Sequence, residues 1–241
     1  DLLGALEDCV AAQLRWPEAV EPQILKGMIY AGLGFKSEAG GLFDGLYRRS
    51  GSKEFVALGV TAAYVAIWDF EQALAWADKL GAEGQRERLR ALFLWKLGRL
   101  NERVDAARNA VRAAPDDPRT HRILAFALSE GVGKCEEAAE VARDAIRRFP
   151  GYVALYHALN LALGREGRFA EERDVLREAL RINPDDGGLH SELGLALMGT
   201  GELEEAFAEQ KRAVELSPHD HDVVNNLGYS LIEVGRLEEG L

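Results

Sequence analysis

The chain has 241 residues, 47% hydrophobic and 29% charged, with a formal net charge of −11. These proportions fit a folded, soluble chain, and the negative balance argues against nucleic acid as a general partner. No apolar run approaches the roughly 20 residues that a membrane-spanning helix needs, so membrane insertion is not expected.

A spacing supplies the ruler for everything else. Pro150, Pro184 and Pro218 lie 34 residues apart, each five residues after an alanine (Ala145, Ala179, Ala213), and such a period reads as stacked helix–turn–helix units. With the proline counted as position 32, residues 1–19 match only a second helix, with Ala5, Cys9, Ala12 and Pro17 at positions 20, 24, 27 and 32. Residues 20–53 form a full repeat with Gly27, Tyr30, Gly34, Ala39 and Phe43 in register. Residues 54–83 keep Tyr64 and Ala73 but run short by about four residues, with Trp68 where the turn glycine belongs. Residues 84–117 carry Gly98, Ala107, Ala110 and Pro115. Residues 118–152 place His121, Leu124, Ala125 and Leu128 on a first helix. An extra residue near Gly131 and Val132 is expected to be absorbed in the turn before Ala138, Ala142, Ala145 and Pro150. Residues 153–186 repeat the pattern with Tyr156, Leu159, Leu163, Gly167, Leu176 and Ala179, but put Glu172 where a small residue is expected. Residues 187–220 follow with His190, Leu193, Gly194, Leu197, Gly201, Ala206 and Ala213, and set Gln210 in place of an aromatic. Residues 221–241 open a last repeat at Val224, Leu227, Gly228, Leu231 and Gly235 and do not finish it.

Positions 4, 7, 8 and 11 share one face of a first helix, and positions 20, 24 and 27 one face of a second. Small residues at 8 and 20 let the two backbones approach, a glycine at 15 ends the first helix in a left-handed conformation, and the proline closes the second. The expectation is an all-α chain with turns near Gly34, Gly98, Gly133, Gly167, Gly201 and Gly235. The short repeat is expected to change the pitch of the stack and to leave Trp68 to Leu80 less protected. Neither end carries the polar capping unit that a repeat stack requires, which predicts a piece of a longer protein or ends covered by self-association.

Chemistry is conspicuous by its absence. No phosphate-cradling glycine loop, HExxH, CxxC or nucleophile elbow occurs, so no catalytic residue and no cofactor are expected. His219, Asp220, His221 and Asp222 look like a metal cluster, yet they follow Pro218 where a helix begins, and Asp220 as an N-cap is the plainer account. His121 and His190 share position 4 and are expected to be packing residues. Cys9 and Cys135 lie about four repeats apart, too far to bridge, which predicts free thiols and a reducing, cytoplasmic setting. Charge is uneven: residues 84–152 hold 14 Lys and Arg against 10 Asp and Glu, a balance of +4, whereas residues 187–241 hold 3 against 11, a balance of −8.

These residues resemble the tetratricopeptide repeat family, whose pattern sets an aromatic at 4, Leu at 7, Gly at 8, Tyr at 11, Ala at 20, Phe at 24, Ala at 27 and Pro at 32. The resemblance covers essentially the whole chain and implies a single right-handed α-solenoid of stacked helix–turn–helix units, 1–241. In that family the first helices line a concave groove through positions 2, 5, 9, 12 and 13. Carried over, this implies a peptide groove of Arg88, Leu92, Trp95 and Lys96, then Arg119, Arg122 and Phe126, then His157, Leu161 and Arg165. Basic groups interleaved with aromatics suit an extended acidic peptide of a protein partner. Two further family sites do not match: no three consecutive repeats supply the carboxylate clamp, and of the asparagine ladder only Asn226 is present. The resemblance therefore implies a non-enzymatic interaction scaffold, with a regulatory or substrate-presenting arm of a larger enzyme, such as a glycosyltransferase, as the alternative.

Overall fold

The computed structural model describes residues 2–15 and 19–233, and every regular element among them is helical. They divide into two compact units, Asp1–Ala114 and Pro115–Leu241. The first unit contains α1 (Leu2–Arg15), α2 (Val20–Gly32), α3 (Lys36–Arg49), α4 (Lys53–Ala66), α5 (Phe70–Ala77), α6 (Glu83–Lys96) and α7 (Leu100–Ala113). The second contains α8 (Pro118–Phe126), continued by a π-helical turn over Ala127–Gly131, then α9 (Cys135–Arg148), α10 (Ala154–Arg165), α11 (Phe169–Ile182), α12 (Gly187–Thr200), α13 (Leu203–Leu216) and α14 (His221–Glu233). Within each unit a first helix packs on the second helix of its own repeat, as in α2 on α3, α6 on α7 and α12 on α13. It also packs on a neighbouring repeat, as in α2 on α4 and α12 on α14. The expectations for Pro17, Gly235 and the second helix after residue 233 lie outside the described residues.

One turn recurs between first and second helices, and it follows from a single backbone requirement. Gly34, Gly98, Gly167 and Gly201 have φ between 68° and 91°, the left-handed region that lets a helix end in paired reverse hydrogen bonds. In each turn the glycine N–H reaches back three residues and the next N–H five, as in Gly34 to Ala31 (3.1 Å) and Phe35 to Tyr30 (2.9 Å). Trp68 has no glycine's freedom, yet takes φ 61° and closes the same two bonds, to Val65 and, through Asp69, to Tyr64 (both 3.0 Å). The neighbouring helices impose the turn on a bulky residue, whose ring stands 75% exposed and meets Phe70 edge to face at 5.9 Å.

Irregularities in repeat length are absorbed inside helices. The extra residue of 118–152 does not enter the turn, as its position near Gly131 and Val132 suggested. It widens the end of the first helix into the π turn, so that Lys134 N–H reaches Leu128, six residues back, at 3.0 Å. Gly133 then still falls at the left-handed position with φ 67°; a π turn holds one additional residue without disturbing the faces on either side. The deficit of 54–83 is taken from its second helix, since α5 has 8 residues where α3, α7 and α9 each have 14.

Close helix approach organises the core. A Cβ on Gly27 would lie 2.3 Å from the Phe43 ring, so the glycine at position 8 seats the aromatic at position 24. Phe43 then packs edge-on against Tyr64 (5.4 Å) and Trp76 (6.1 Å). In the second unit the equivalent layer is mostly aliphatic, built from Tyr156, Leu176, Leu189, Leu193 and Leu197. The position-4 residues pack as expected and also make a polar tie that composition does not suggest. His121 Nε2, Tyr156 OH and His190 Nε2 each donate to the carbonyl of the proline six residues upstream, at 2.8, 3.1 and 2.9 Å. Each tie satisfies a carbonyl exposed by the end of the preceding helix.

A non-glycine residue in the left-handed region costs on the order of 1 kcal/mol or more. Trp68→Gly is therefore expected to raise the unfolding free energy by about 1 kcal/mol, offset in part by the lost contact with Phe70. A urea titration followed by circular dichroism checks it; a lower midpoint would show that the indole contributes more than its backbone costs.

Candidate functional site

The expected groove residues fall in both units. In the first, Arg88, Leu92, Trp95 and Lys96 lie along α6, with Leu92 and Trp95 45% and 43% exposed. Trp95 is not a bare anchor. Lys96 Nζ lies 4.3 Å from its ring centroid and the Arg103 guanidinium 5.6 Å, so cations already use its π face. A separate hollow of about 510 Å³ lies at the turn edge of this unit, against Ile67, Trp68, Phe70 and Leu97, and contains none of the expected residues.

In the second unit, Arg122, Phe126, His157 and Leu161 converge on one hollow of about 420 Å³, completed by Glu130, Ala154, Asn160 and Glu192. Arg122 leans on Phe126, its guanidinium carbon 5.8 Å from the ring centroid, and its buried Nε has no hydrogen-bond partner among the described residues. Two expected residues do not line this hollow. Arg119 is held by Asp117, the N-cap of its own helix, at 2.8 Å. Arg165 turns its guanidinium back to donate to the Ser129 carbonyl at 3.3 Å.

The hollow is less basic than the arginine count implied. His157 Nδ1 donates to both Glu192 carboxylate oxygens, at 3.0 and 3.2 Å. That bond raises the His157 imidazole above its ordinary range, although burial pulls the other way. Arg122 and His157 thus face Glu130 and Glu192 across one space. Many other arginines of this unit are engaged between second helices: Arg143 with Glu171 (2.9 Å), Arg173 with Glu202 (2.6 Å) and Arg177 with Glu205 (2.6 Å).

The sharpest feature lies where α10 and α11 approach. Positions 8 and 20 hold Gly27 and Ala39 in one repeat and Ala125 and Ala138 in another; here they hold Asn160 and Glu172, each only 8% exposed. Space for the carboxylate comes from Gly164, whose Cβ would lie 3.0 Å from Glu172 Oε1. Asn160 Oδ1 and Glu172 Oε2 are buried with no hydrogen-bond partner among the described residues. Burial, and then the nearby Glu192 carboxylate, push the Glu172 pKa up to about 7. The next repeat shows that this fold can satisfy a buried amide. Gln210, fully buried, accepts from Ser191 Oγ (3.2 Å) and donates to the Ser191 carbonyl (2.8 Å), while Asn226 donates to the same Oγ (3.0 Å). Glu172 stood out in the sequence as a departure from the small residue at 20. Asn160 and Glu192 did not; the available signal was an amide at position 8 of the same repeat that carries a carboxylate at 20.

Elsewhere Asp220 caps α14, accepting from the N–H groups of Asp222 (3.0 Å) and Val223 (3.3 Å). Cys9 and Cys135 are buried, free thiols. No described helix is long and apolar enough to cross a membrane.

An acid whose folded pKa is raised destabilises the fold as it ionises, so the Glu172 penalty is absent below the ordinary carboxylate range and complete above about 7. His157 acts in the same direction, because a histidine with a raised pKa loses its stabilising share as pH rises. Glu172→Gln should therefore stabilise the protein at pH 8 by about 1 to 3 kcal/mol and by much less at pH 5. Urea midpoints of both proteins across that range check the sign; a gap that widens on acidification would contradict it.

Family models for tetratricopeptide repeats match residues 130–187 and 189–220. Among solved structures, TTC0263, a thermophilic repeat protein of the same kind from Thermus thermophilus, aligns with a TM-score of 0.61 at 23% identity, over 74% of this chain and 99% of that one. Residues 41 to the end of MamA from Desulfovibrio magneticus RS-1 align with a TM-score of 0.57 at 19% identity, over 66% and 90% of the two chains. YrrB, a repeat protein with an unusual peptide-binding site, aligns with a TM-score of 0.55 at 14% identity, over 76% and 95%. No curated protein matches the chain. At these identities the likeness is one of fold, and it agrees with the matched repeats, the recurring left-handed turn and the all-α solenoid architecture. Residues 130–187 and 189–220 match the tetratricopeptide repeat family, and the described residues have the fold of that family.

Proposed function

We propose that the protein is a non-catalytic interaction scaffold whose second unit holds an extended, acidic segment of a protein partner along α8 and α10. The observation that carries this reading is the hollow itself. Phe126 and Leu161 offer apolar wall, and the Arg122 Nε beside them has no hydrogen-bond partner among the described residues. Carboxylates of the segment would pair with Arg122 and, farther along, with the exposed Arg119 and Arg165. Arg88, Leu92, Trp95 and Lys96 on α6 form a second surface of the same kind. A peptide-binding member of the same fold, YrrB, lends this reading support by analogy.

Buried aromatic anchors dominate such interfaces, whereas exposed charges act mainly on association rate and salt dependence. A fluorescently labelled acidic peptide, Glu-Glu-Leu-Lys-Leu-Glu-Glu, should bind with an affinity that falls as salt rises. Phe126→Ala should cost about 2 kcal/mol and Arg119→Ala about 1 kcal/mol or less. Fluorescence anisotropy with variants first shown to be folded decides; unchanged binding in both Phe126→Ala and Arg122→Glu would remove the groove from consideration.

A further inference from the structure

The hollow of the second unit is lined by one buried acceptor, Asn160 Oδ1, that receives nothing from the described residues. Glu192 also lines it and accepts from His157, while Glu172, outside the lining, carries a second buried oxygen with no hydrogen-bond partner among the described residues. Burial, with the nearby Glu192 carboxylate as the second cause, raises the Glu172 pKa. Leading to these acceptors are two apolar surfaces, Phe126 and Leu161. An unmatched buried amide is costly, and natural cores avoid it; the satisfied Gln210 shows that this chain avoids it one repeat away. A group that supplies several N–H donors and one positive charge on an alkyl stem would meet every one of these conditions. Lysine has that form: a compact ammonium with three donors on a flexible four-carbon stem, where the planar fork of arginine suits one carboxylate face.

Resting on the reading that this groove takes a partner segment, we propose that the hollow receives a lysine side chain of that segment, its ammonium donating to Asn160 Oδ1 and Glu192 and its stem lying between Phe126 and Leu161. Acidic residues flanking the lysine then meet Arg122 at the rim, so the segment is mixed in charge. The charged groups around the ammonium are Arg122 from α8, Glu130 from the π turn, His157 from α10, Glu172 from α11, and Asp186 and Glu192 at the start and in the body of α12. As pH rises, His157 loses its positive charge while keeping its Nδ1–H on Glu192, and Glu172 ionises; both changes favour a bound cation.

The test uses the full chain and a minimal probe, Nα-acetyl-lysine N-methylamide, with the norleucine analogue as control. Side-chain amide resonances of Asn160 and ring resonances of His157 should shift with the lysine probe and not with norleucine, about fivefold more tightly at pH 8 than at pH 6. Asn160→Ala, which restores the residue found at the same position in Ala125, should remain folded and lose the response about tenfold. No shift at saturating probe, or an equal shift with norleucine, overturns the lysine site. A second arm compares the acidic peptide with its lysine and with norleucine in that place. Equal binding of the two leaves the groove standing and overturns the lysine site. Binding of neither, with the small probe still shifting Asn160, supports the lysine site and removes the extended-segment reading.

Discussion

The crossing of two helices within a repeat is the constraint on which the rest depends. The paired helices bury a shared face only if their backbones come close at positions 8 and 20, which is why glycine and alanine hold most of those places. Gly27 beneath Phe43 and Gly194 beneath Gln210 show how little room remains: a Cβ there would sit 2.3 and 2.6 Å from its neighbour. The crossing where both small residues are replaced by polar ones, at Asn160 and Glu172, is also where the second unit opens its hollow. A packing rule broken there leaves unpaired buried atoms, and such departures from local consistency concentrate at functional sites.

The connections tolerate more variety than the crossing does. The left-handed turn survives when glycine is replaced by Trp68 and when a residue is inserted before Gly133, because reverse hydrogen bonds and helix packing on both sides determine it jointly. Length errors move into the helices, as a π turn after α8 and a shortened α5. Three of the prolines do more than stop a helix, since the carbonyls of Pro115, Pro150 and Pro184 accept from the position-4 residues His121, Tyr156 and His190 that follow them.

Charge is distributed by partner and not by count. Arginines on the second helices of the second unit are engaged with glutamates of the following repeat, and each such exposed pair contributes about 1 kcal/mol or less. Arg122 differs from these in position: it leans on an aromatic ring, with a buried Nε that has no hydrogen-bond partner among the described residues. His157, held by Glu192, faces the hollow, whereas His121 and His190 tie the turns, His190 also pairing with Glu209.

The amino-acid sequence by itself determined the repeat period, the helix pairs, the left-handed turns and the residue types that line the first helices. Those properties depend on near neighbours along the chain, through helical periodicity, glycine at the turn and proline at the close. It also marked Glu172 and Gln210 as departures, without separating the satisfied one from the unsatisfied one. That separation belongs to tertiary structure: Gln210 meets Ser191, 19 residues before it and itself held by Asn226, whereas Glu172 meets Gly164 and the field of Glu192. Tertiary structure likewise withdrew Arg119 and Arg165 from the hollow and brought in Asn160 and Glu192, because hydrogen-bond partners supplied by neighbouring helices and turns decide where a long side chain ends. Periodicity says which face a residue occupies; only the packed neighbours say whether its polar atoms are already engaged.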